Sequence, residues 1–567
     1  MVLVNGDVET SNPASRASPY RGASAYDSRD DYGSSDALAP GGDRFKQSDF
    51  SSRRLADVKS KKVTRATNRL AAVGSISPAS PGAPDVDVED DSPRTPVDDT
   101  AAVESKSASV RICGRRVNSN SFSSGPSPFL VGGLGMLLLG AVLLRKEDAS
   151  ERPPFTLHLL DDPTSQALNA VCLDGSPAAI YIKPAASGFE TSWQLYLEGG
   201  GWCWTPQDCA ARATTDLGSS LNYAATISSM GTGLQSSWCN INPTFCNFNQ
   251  VFVKYCDGNS FSGNRADALH VPATANSPEG TIQFRGAAII DAALQLLLSQ
   301  NGLGQAQQVL LTGCSAGGVA AFLQANRVGD FLEANTQPGL RYKVVPVSGF
   351  FIEHHNALGQ NVFEHQIQIL FELSNAIDGV DPACIAAQST GQEWRCNFAG
   401  PAYAHVKAPV FVMDSSLDAS QLSCTLTATP LTPDSDTQYP ISRSHCAKLD
   451  GWSCGAFGKI SQCDAPHMRV LVAHQHSFIE QLTAVSTYTL PQNSAFIHSC
   501  HTHCGGGGTY AAGHGDDMWG TVEIEGVVMR NAVSTWWDGG TQLLLSPCFR
   551  SPEDGGGACN PSCPAEF

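Results

Sequence analysis

A serine lying between two glycines is the residue in this chain whose surroundings best suit nucleophilic chemistry. Ser315 lies in the segment GCSAGG, which follows the apolar run 309–311 and leads into the small and apolar residues 319–328. A G-x-S-x-G turn between a strand and a helix exposes the serine hydroxyl on a strained backbone, and the N–H groups that begin the helix can stabilise an oxyanion. Because Gly, Ser and Ala are common, the motif needs support from an acid and a base downstream.

A glycine-rich segment after an earlier strand could supply further oxyanion donors. Residues 193–197 are predicted to form a strand, and they are followed by Glu198, three glycines and Trp202. Glycines let backbone N–H groups turn inward without a Cβ in the way. The segment resembles the Gly-rich oxyanion loops of lipases and esterases. A plain flexible turn is the alternative, and the flanking Trp202 and Cys203 make it the weaker one.

Two aspartates after a later strand are candidates for the acid. Residues 408–413 are predicted to be a strand, Asp414 ends it, and Asp418 lies in the loop beyond. In a catalytic triad the carboxylate orients the imidazole and stabilises its protonated form. Position along the chain does not separate the two aspartates.

Three histidines follow the last predicted core strand, residues 495–497, and are candidates for the general base. They are His498, His501 and His503, with His514 further on as a fallback. A neutral imidazole oriented by an aspartate takes the proton of an attacking serine. The order serine, aspartate, histidine is that of the α/β-hydrolases. Because the separate segments agree, we predict that Ser315 is a nucleophile.

The same histidine cluster could instead hold a metal ion. Imidazole and thiolate are zinc ligands, and Cys500 and Cys504 lie among the histidines. However, their spacing matches no standard zinc module, and the region has the cysteine content of a disulfide-rich domain. We therefore favour the general base, and we predict neither a metal nor a cofactor.

Taken together, these motifs resemble those of the pectin acetylesterase family, which also includes the Notum lipid-releasing carboxylesterases. The motifs are LEGGGWC, GCSAGG, an aspartate in a D-x-x-Q-L-like segment and FIHSCHTHC, and the similarity runs from about Leu168 to Trp537. The first two are closer to the plant-like members of the family.

The resemblance implies roles for particular residues. The family's acid lies in a Y-D-S-W-Q-like segment, which matches residues 417–421 and implies Asp418. Its histidine lies in an F-I-N-S-C-F-A-H-C segment, which matches residues 496–504 and implies His503, with His501 standing where the family has an aromatic residue. The oxyanion donors so implied are backbone N–H groups of Gly200, Gly201 or Trp202 together with that of Ala316.

The implied reaction is hydrolysis of a carboxylic ester through an acyl-serine intermediate. Plant-like members remove acetyl groups from pectin, whereas the Notum branch removes a long fatty acyl group from a secreted protein. We expect a serine carboxylesterase that removes acetyl groups from pectin-like or other matrix polysaccharide. The alternatives are a Notum-like lipid-acyl carboxylesterase and a non-catalytic carbohydrate-binding or metal-binding secretory protein.

Strands and helices alternate in the part of the chain that carries these motifs. Residues 249–255 are predicted to form a strand, residues 286–299 a helix, and residues 307–313 the strand before Ser315. Such alternation predicts an α/β-hydrolase-like fold, a mainly parallel sheet with helices on both faces. We assign residues 155–567 to this esterase domain.

Composition changes sharply before that domain. The chain has 567 residues and a net charge of -18, which argues against nucleic acid as a partner. Residues 1–128 are rich in Ser, Asp, Arg, Pro and Gly and poor in aromatics, so we expect a disordered cytosolic tail. Its basic stretch 53–69 is read as a solvated patch rather than a lipid-binding one. The oligomeric state is not predicted.

An uncharged apolar segment, residues 129–144, separates the tail from the domain. Sixteen helical residues span roughly 24 Å, short of a typical bilayer but tolerable in a thin early-secretory membrane. We expect an uncleaved transmembrane signal anchor, since a cleaved signal peptide normally begins near the N-terminus. Cleavage of the segment, or translation starting at Met136, remain alternatives.

The cysteines set the expected orientation and compartment. Eighteen of the nineteen follow the apolar segment, which indicates disulfides and an oxidising compartment. We expect a single-pass protein of the Golgi or cell surface with its catalytic domain lumenal or extracellular, or released to the cell wall. Cys203 and Cys209 are a plausible pair, but Cys314 lies inside the serine turn. We predict that Cys314 is buried and unpaired, which would leave at least one other cysteine unpaired.

Overall fold

The computed structural model describes residues 153–273, 279–428, 452, 454, 460–508, 515–546 and 560–564. The predicted tail 1–128, the predicted anchor 129–144 and His514 lie outside the described residues. Within the described ranges, no helix combines the length and the apolar character needed to span a bilayer.

Fourteen strands and twelve α-helices are formed by the described residues. The strands are β1 (Phe155–Leu159), β2 (Ala179–Lys183), β3 (Ser192–Leu197), β4 (Thr226–Ile227), β5 (Asn249–Val253), β6 (Leu269–Val271), β7 (Gly280–Ile282), β8 (Gln308–Cys314), β9 (Arg341–Val347), β10 (Phe411–Ser415), β11 (Ser494–His498), β12 (Glu523–Ile524), β13 (Val527–Val528) and β14 (Leu543–Leu545). The helices are α1 (Pro163–Leu168), α2 (Pro206–Arg212), α3 (Gly286–Gln300), α4 (Ala316–Leu323), α5 (Ala325–Asn335), α6 (Phe363–Leu373), α7 (Pro382–Ala387), α8 (Ala399–Tyr403), α9 (Ala419–Cys424), α10 (Ala465–Ala484), α11 (Gly515–Thr521) and α12 (Met529–Trp537). Short 3-10 helices are Gly233–Gln235, Leu303–Gln305, Ala376–Asp378, Glu393–Asn397 and Ile460–Gln462.

Ten of these strands form one sheet in the order β14-β11-β10-β9-β8-β3-β5-β2-β1-β4. From β14 to β5 every neighbouring pair is parallel. The remaining pairs, at the other edge, are antiparallel. The predicted mainly parallel sheet is therefore confirmed, with an antiparallel extension that the sequence did not indicate.

Hydrophobic side chains pack on both faces of the sheet. Successive residues of a strand point to opposite faces, and in β8 Val309 and Leu311 belong to one buried cluster whereas Leu310 belongs to another. The first cluster takes in the apolar residues of α3 and α4. The second takes in those of α11 and α12. Helices therefore cover both faces, as predicted.

Disulfides are numerous in the domain. Seven join described cysteines: Cys172–Cys256, Cys203–Cys209, Cys239–Cys246, Cys314–Cys504, Cys384–Cys396, Cys454–Cys463 and Cys500–Cys563. Cys424 is disulfide-bonded as well. The disulfide-rich character and the Cys203–Cys209 pair are confirmed.

The prediction that Cys314 is unpaired is wrong, because Cys314 is bonded to Cys504. Cys314 is buried as predicted, 1% exposed, at the end of β8. Both residues belong to the buried cluster on the sheet face that α11 and α12 cover. The disulfide therefore supports the serine turn from that face. The argument for a second unpaired cysteine loses its basis.

Candidate active site

Ser315 lies at a sharp turn between β8 and α4. Its φ of 62° and ψ of -128° are rare for a residue with a side chain. The backbone N–H of Ser315 donates to the carbonyl oxygen of Val347 at 3.1 Å, and this hydrogen bond holds the turn in place. The hydroxyl-bearing side chain stays partly exposed. A strained, held and accessible serine is the arrangement predicted for a nucleophile.

The glycines around the turn are required by close backbone contacts. A Cβ on Gly313 would lie 2.2 Å from the carbonyl oxygen of Gly317, and one on Gly317 would lie 2.1 Å from that of Leu197. Ala316 is the first residue of α4, so its N–H has no acceptor within the helix. The turn thus brings one free N–H group next to the serine.

His503 and Asp418 are joined by a hydrogen bond at the carboxyl edge of the sheet. His503 Nδ1 donates to Asp418 Oδ2 at 2.7 Å. The other oxygen of Asp418 accepts from the N–H of Gln421 at 2.9 Å, so the carboxylate also begins α9. The two loops run side by side, since the N–H of Ala419 donates to the carbonyl oxygen of Thr502 at 3.1 Å. The predicted choice of His503 and Asp418 is consistent with this geometry.

His503 lies directly beside the serine turn. One of its ring nitrogens lies within 4.8 Å of the sulfurs of both Cys314 and Cys504, and Cys314 immediately precedes Ser315. Those sulfurs form a disulfide, so they are not thiolate ligands, and the metal interpretation of this cluster has no support. The imidazole therefore lies close to the residue that precedes Ser315.

The electrostatic surroundings of His503 raise its pKa. Burial lowers the pKa of His503, but the negative charge of Asp418, their hydrogen bond and the charge of Asp414 outweigh it, so that the pKa is raised above the ordinary 6.5. This is the direction expected for a base whose protonated form must be stabilised after it accepts the proton.

Asp414, the other candidate for the catalytic acid, accepts hydrogen bonds from backbone N–H groups. Its two oxygens accept from the N–H groups of Phe350 at 2.9 Å and Ser415 at 2.8 Å. Burial and the nearby charge of Asp418 raise the pKa of Asp414 above its ordinary value. The carboxyl group therefore holds the loop after β9 in place.

The other two histidines of the cluster occupy different positions. His498 is buried in β11, where its Nδ1 accepts from the N–H of Cys500 at 3.3 Å and burial lowers its pKa to about 4. His501 is partly exposed in the loop before His503. His503 is the histidine whose side chain meets Asp418.

The predicted oxyanion loop lies against the serine turn. A Cβ on Gly199 would come 2.9 Å from the Cβ of Ser315, which shows how closely the loop approaches. Gly200 and Gly201 have φ of 154° and 66°, in the region that glycine tolerates. No acceptor among the described residues pairs with the backbone N–H groups of Gly200, Gly201 or Trp202. These groups remain free to bind a ligand oxygen.

Two side chains at this loop were missed by the sequence reasoning. The guanidinium of Arg212 donates to the carbonyl oxygen of Gly200 at 2.9 Å. The hydroxyl of Tyr255 donates to that of Gly201 at 2.8 Å. In the sequence, Arg212 is one polar residue of a short helix, and nothing local indicates its contact.

An aromatic cluster borders the imidazole and the loop. The Trp202 ring lies 5.0 Å from that of Phe351 and 5.8 Å from that of Phe363, measured between ring centroids. The Phe351 ring lies 6.2 Å from the His503 ring, edge on. Phe351 and Phe363 are buried, so Trp202 is the partly exposed ring of this cluster.

Comparison with known proteins places this chain in a family. The pectinacetylesterase family model matches residues 149–548. The chain belongs to this family. Pectin acetylesterase 5 of Arabidopsis thaliana is 30% identical over 399 residues, covering 70% of this chain and 82% of the relative. Pectin acetylesterase 4 of the same plant is 30% identical over 335 residues, covering 59% and 73%.

Relatives from the second branch also match this pectinacetylesterase-family chain. The palmitoleoyl-protein carboxylesterase NOTUM of Homo sapiens is 32% identical over 274 residues, covering 47% of this chain and 51% of the relative. The resemblance predicted from the motifs is confirmed. The predicted reaction class, carboxylic ester hydrolysis, agrees with the names of relatives in both branches.

Proposed function

We propose that this chain is a serine carboxylesterase in which Ser315 is the nucleophile, His503 the general base and Asp418 the residue that orients it. The observation that carries the proposal is the Nδ1–Oδ2 hydrogen bond of 2.7 Å between His503 and Asp418, beside the strained turn of Ser315. The retention of all three groups disfavours a non-catalytic binding protein.

Acylation follows from the tautomer that this hydrogen bond selects. With the proton on Nδ1 facing Asp418, the Nε2 lone pair of His503 accepts the Ser315 proton as the oxygen attacks the ester carbonyl carbon. The carbonyl oxygen becomes negative and is bound by the N–H of Ala316 and by those of the glycine loop. The imidazolium then returns the proton to the departing alcohol oxygen, and the acyl-serine remains.

Deacylation repeats these steps with water. His503 takes a proton from a water molecule, whose oxygen attacks the acyl carbon. Collapse of the second tetrahedral intermediate breaks the bond to Ser315 Oγ, which recovers its proton from the imidazolium. The products are a carboxylic acid and the free enzyme, and no cofactor is needed.

For the substrate we propose acetyl esters on pectin-like or other matrix polysaccharide. Relatives named pectin acetylesterase that cover 70% of the chain support this choice. A Notum-like lipid-acyl carboxylesterase is the second candidate, supported by the NOTUM relatives and by the aromatic cluster of Trp202 and Phe351 that borders His503.

The test compares esters of different length on the purified domain. Wild-type protein should hydrolyse 4-nitrophenyl acetate, release acetate from acetylated pectin, and react with a fluorophosphonate probe. The octanoate ester should be a much poorer substrate. Ser315→Ala should lose hydrolysis and labelling with an unchanged melting temperature. Hydrolysis retained in Ser315→Ala refutes the serine mechanism, and a preference for octanoate selects the lipid-acyl alternative.

We further propose that this domain, residues 155–567, works in an oxidising compartment of the secretory pathway or outside the cell. The seven disulfides support this, because cytosolic thiols stay reduced. The cytosolic tail 1–128 and the anchor 129–144 stay predictions. Protease added to sealed microsomes should remove the tail and spare the esterase, and digestion of the esterase alone would contradict this topology.

A further inference from the structure

Arg212 is a buried cation beneath the glycine loop. Its side chain is 0% exposed at the end of α2. Within the described residues it forms no ion pair, and its Nη1 has no hydrogen-bond partner. The buried carboxylates of Glu198 and Asp257 interact with its charge at longer range, but a buried charged group whose hydrogen bonds are incomplete still costs folding free energy. Such a cost, directly under a candidate oxyanion loop, points to a role in the site.

The guanidinium is held by two carbonyl oxygens and a ring. Nη2 donates to Gly200 at 2.9 Å, and Nε donates to Leu217 at 3.1 Å. The guanidinium carbon lies 5.1 Å from the centroid of the Tyr255 ring. Arg212 is thus fixed in position, while its Nη1 has no hydrogen-bond partner among the described residues.

Tyr255 holds the next carbonyl of the same loop. Its hydroxyl donates to Gly201 at 2.8 Å and accepts from the N–H of Ser260 at 3.0 Å. The Ser260 hydroxyl oxygen in turn accepts from the indole N–H of Trp202 at 2.8 Å. Consecutive residues of the loop are therefore tied to one buried network.

These contacts fix the directions in which the backbone N–H groups of the glycine loop point. In a planar trans peptide, the carbonyl of one residue and the N–H of the next point in opposite directions. Arg212, by fixing the Gly200 carbonyl, therefore fixes the Gly201 N–H on the opposite side. Tyr255, by fixing the Gly201 carbonyl, does the same for the Trp202 N–H.

We propose that Arg212 and Tyr255 are positioning residues that aim the N–H groups of Gly201 and Trp202 at the oxyanion. This rests on the proposed esterase function and deepens it. The cation also contributes directly, because a charge bonded to the Gly200 carbonyl polarises that peptide and strengthens its N–H as a donor. In the dry interior, its field favours the negative oxygen of the tetrahedral intermediate.

Tyr255→Phe tests the geometry with the fewest side effects, since it removes one hydroxyl. We expect kcat on 4-nitrophenyl acetate to fall about 10-fold or more, with KM within about twofold, because the donors act on the transition state. Tyr181→Phe is the matched control: Tyr181 is equally buried, 2% exposed, and its hydroxyl donates to the backbone carbonyl of Ala224 at 2.7 Å. Its kcat should match that of the wild type.

Arg212→Lys and Arg212→Gln separate geometry from charge. Lysine keeps the charge but lacks the fork that reaches both carbonyls, and glutamine lacks the charge. We expect both variants to lose kcat, glutamine more than lysine. An inhibitor pair gives a second readout: a trifluoromethyl ketone, which adds the serine to form an oxyanion, should lose affinity in step with kcat. The matched methyl ketone should keep its affinity.

The outcomes separate this proposal from the function on which it rests. Wild-type kcat and trifluoromethyl ketone affinity in folded Tyr255→Phe would overturn the positioning role, and so would an equal loss in Tyr181→Phe. Activity retained by Ser315→Ala would overturn the serine mechanism instead, whatever the Arg212 variants do. Should the Arg212 variants fail to fold, the Tyr255 and Tyr181 pair decides alone.

Discussion

Cys314 and Cys504 form a disulfide that joins the residue before Ser315 to the residue after His503. The bond connects positions 190 residues apart in sequence, so it fixes the serine turn and the histidine loop relative to each other. A proton can pass between the two groups only at hydrogen-bond distance. The covalent link therefore maintains the alignment that the proposed mechanism needs.

Removing this disulfide should reduce both stability and activity. In the double variant Cys314→Ala/Cys504→Ala, freeing a loop of 190 residues should cost roughly 5 kcal/mol in the chain-entropy account. We also expect kcat to fall several-fold, because the serine and the histidine lose a shared constraint. Thermal unfolding and kinetics on 4-nitrophenyl acetate measure the two effects.

The Cys239–Cys246 disulfide provides the control for that experiment. It closes a loop of 7 residues, so Cys239→Ala/Cys246→Ala should cost less, roughly 2 kcal/mol, and leave kcat unchanged. If the two double variants lost kcat equally, the special role of the Cys314 bond would be refuted. Mass mapping of the wild type should find the Cys314 and Cys504 peptides linked.

The two aspartates beside His503 should differ sharply on mutation. Asp418→Asn removes the charge that orients and stabilises the imidazolium, so kcat should fall on the order of 10²-fold or more. Asp414 instead accepts hydrogen bonds from the N–H groups of Phe350 and Ser415, so Asp414→Asn should mainly lower the melting temperature and reduce kcat far less. The reverse ranking of the two kcat values would exchange their assignments.

Activity should depend on pH through His503. The base must be neutral, and the charge of Asp418 raises its pKa above the ordinary 6.5 despite burial, so kcat/KM should rise with pH with an apparent pKa above 6.5. Asp418→Asn removes the two largest raising influences on the pKa of His503 and leaves burial, which lowers it, against only the smaller influence of Asp414, so the acid limb should move to lower pH. Ser315→Ala supplies the blank for spontaneous ester hydrolysis. A wild-type limb centred below 6.5 would contradict the charge coupling.

Much of the site could be predicted because its signals are local. The apolar run before Ser315 and the small residues after it predict strand, turn and helix, and the chain order of Asp418 and His503 follows the same fold. The choice between Asp418 and Asp414 needed the family resemblance, since Asp414 lies in β10 with Asp418 only a short loop beyond it, and the direction of each side chain is set by the neighbouring loop.

Long-range contacts escaped the sequence reasoning. The partner of Cys314 lies 190 residues away, and no local pattern specifies which loops meet at the carboxyl edge of the sheet. Arg212 and Tyr255 contact the glycine loop through single hydrogen bonds to backbone carbonyls. Because every residue has a backbone carbonyl, the sequence does not indicate which one a side chain will bind. The antiparallel strands β1, β2 and β4 extend the sheet without any motif.

Gly199 gives a last prediction, because the structure leaves no room for a side chain there. A Cβ at this position would lie 2.2 Å from the carbonyl oxygen of Cys314, a backbone atom that no rotamer change can move. In Gly199→Ala, either the glycine loop or the serine turn must shift, and a displacement of about 1 Å can cost on the order of 10²-fold in rate. We expect kcat and fluorophosphonate labelling to fall to that extent.

Gly280→Ala is the control, since a Cβ there meets nothing within 4 Å, and it should retain wild-type kcat. Wild-type kinetics in Gly199→Ala would mean that the loop does not press on the serine turn as described, and the oxyanion assignment would fall with it.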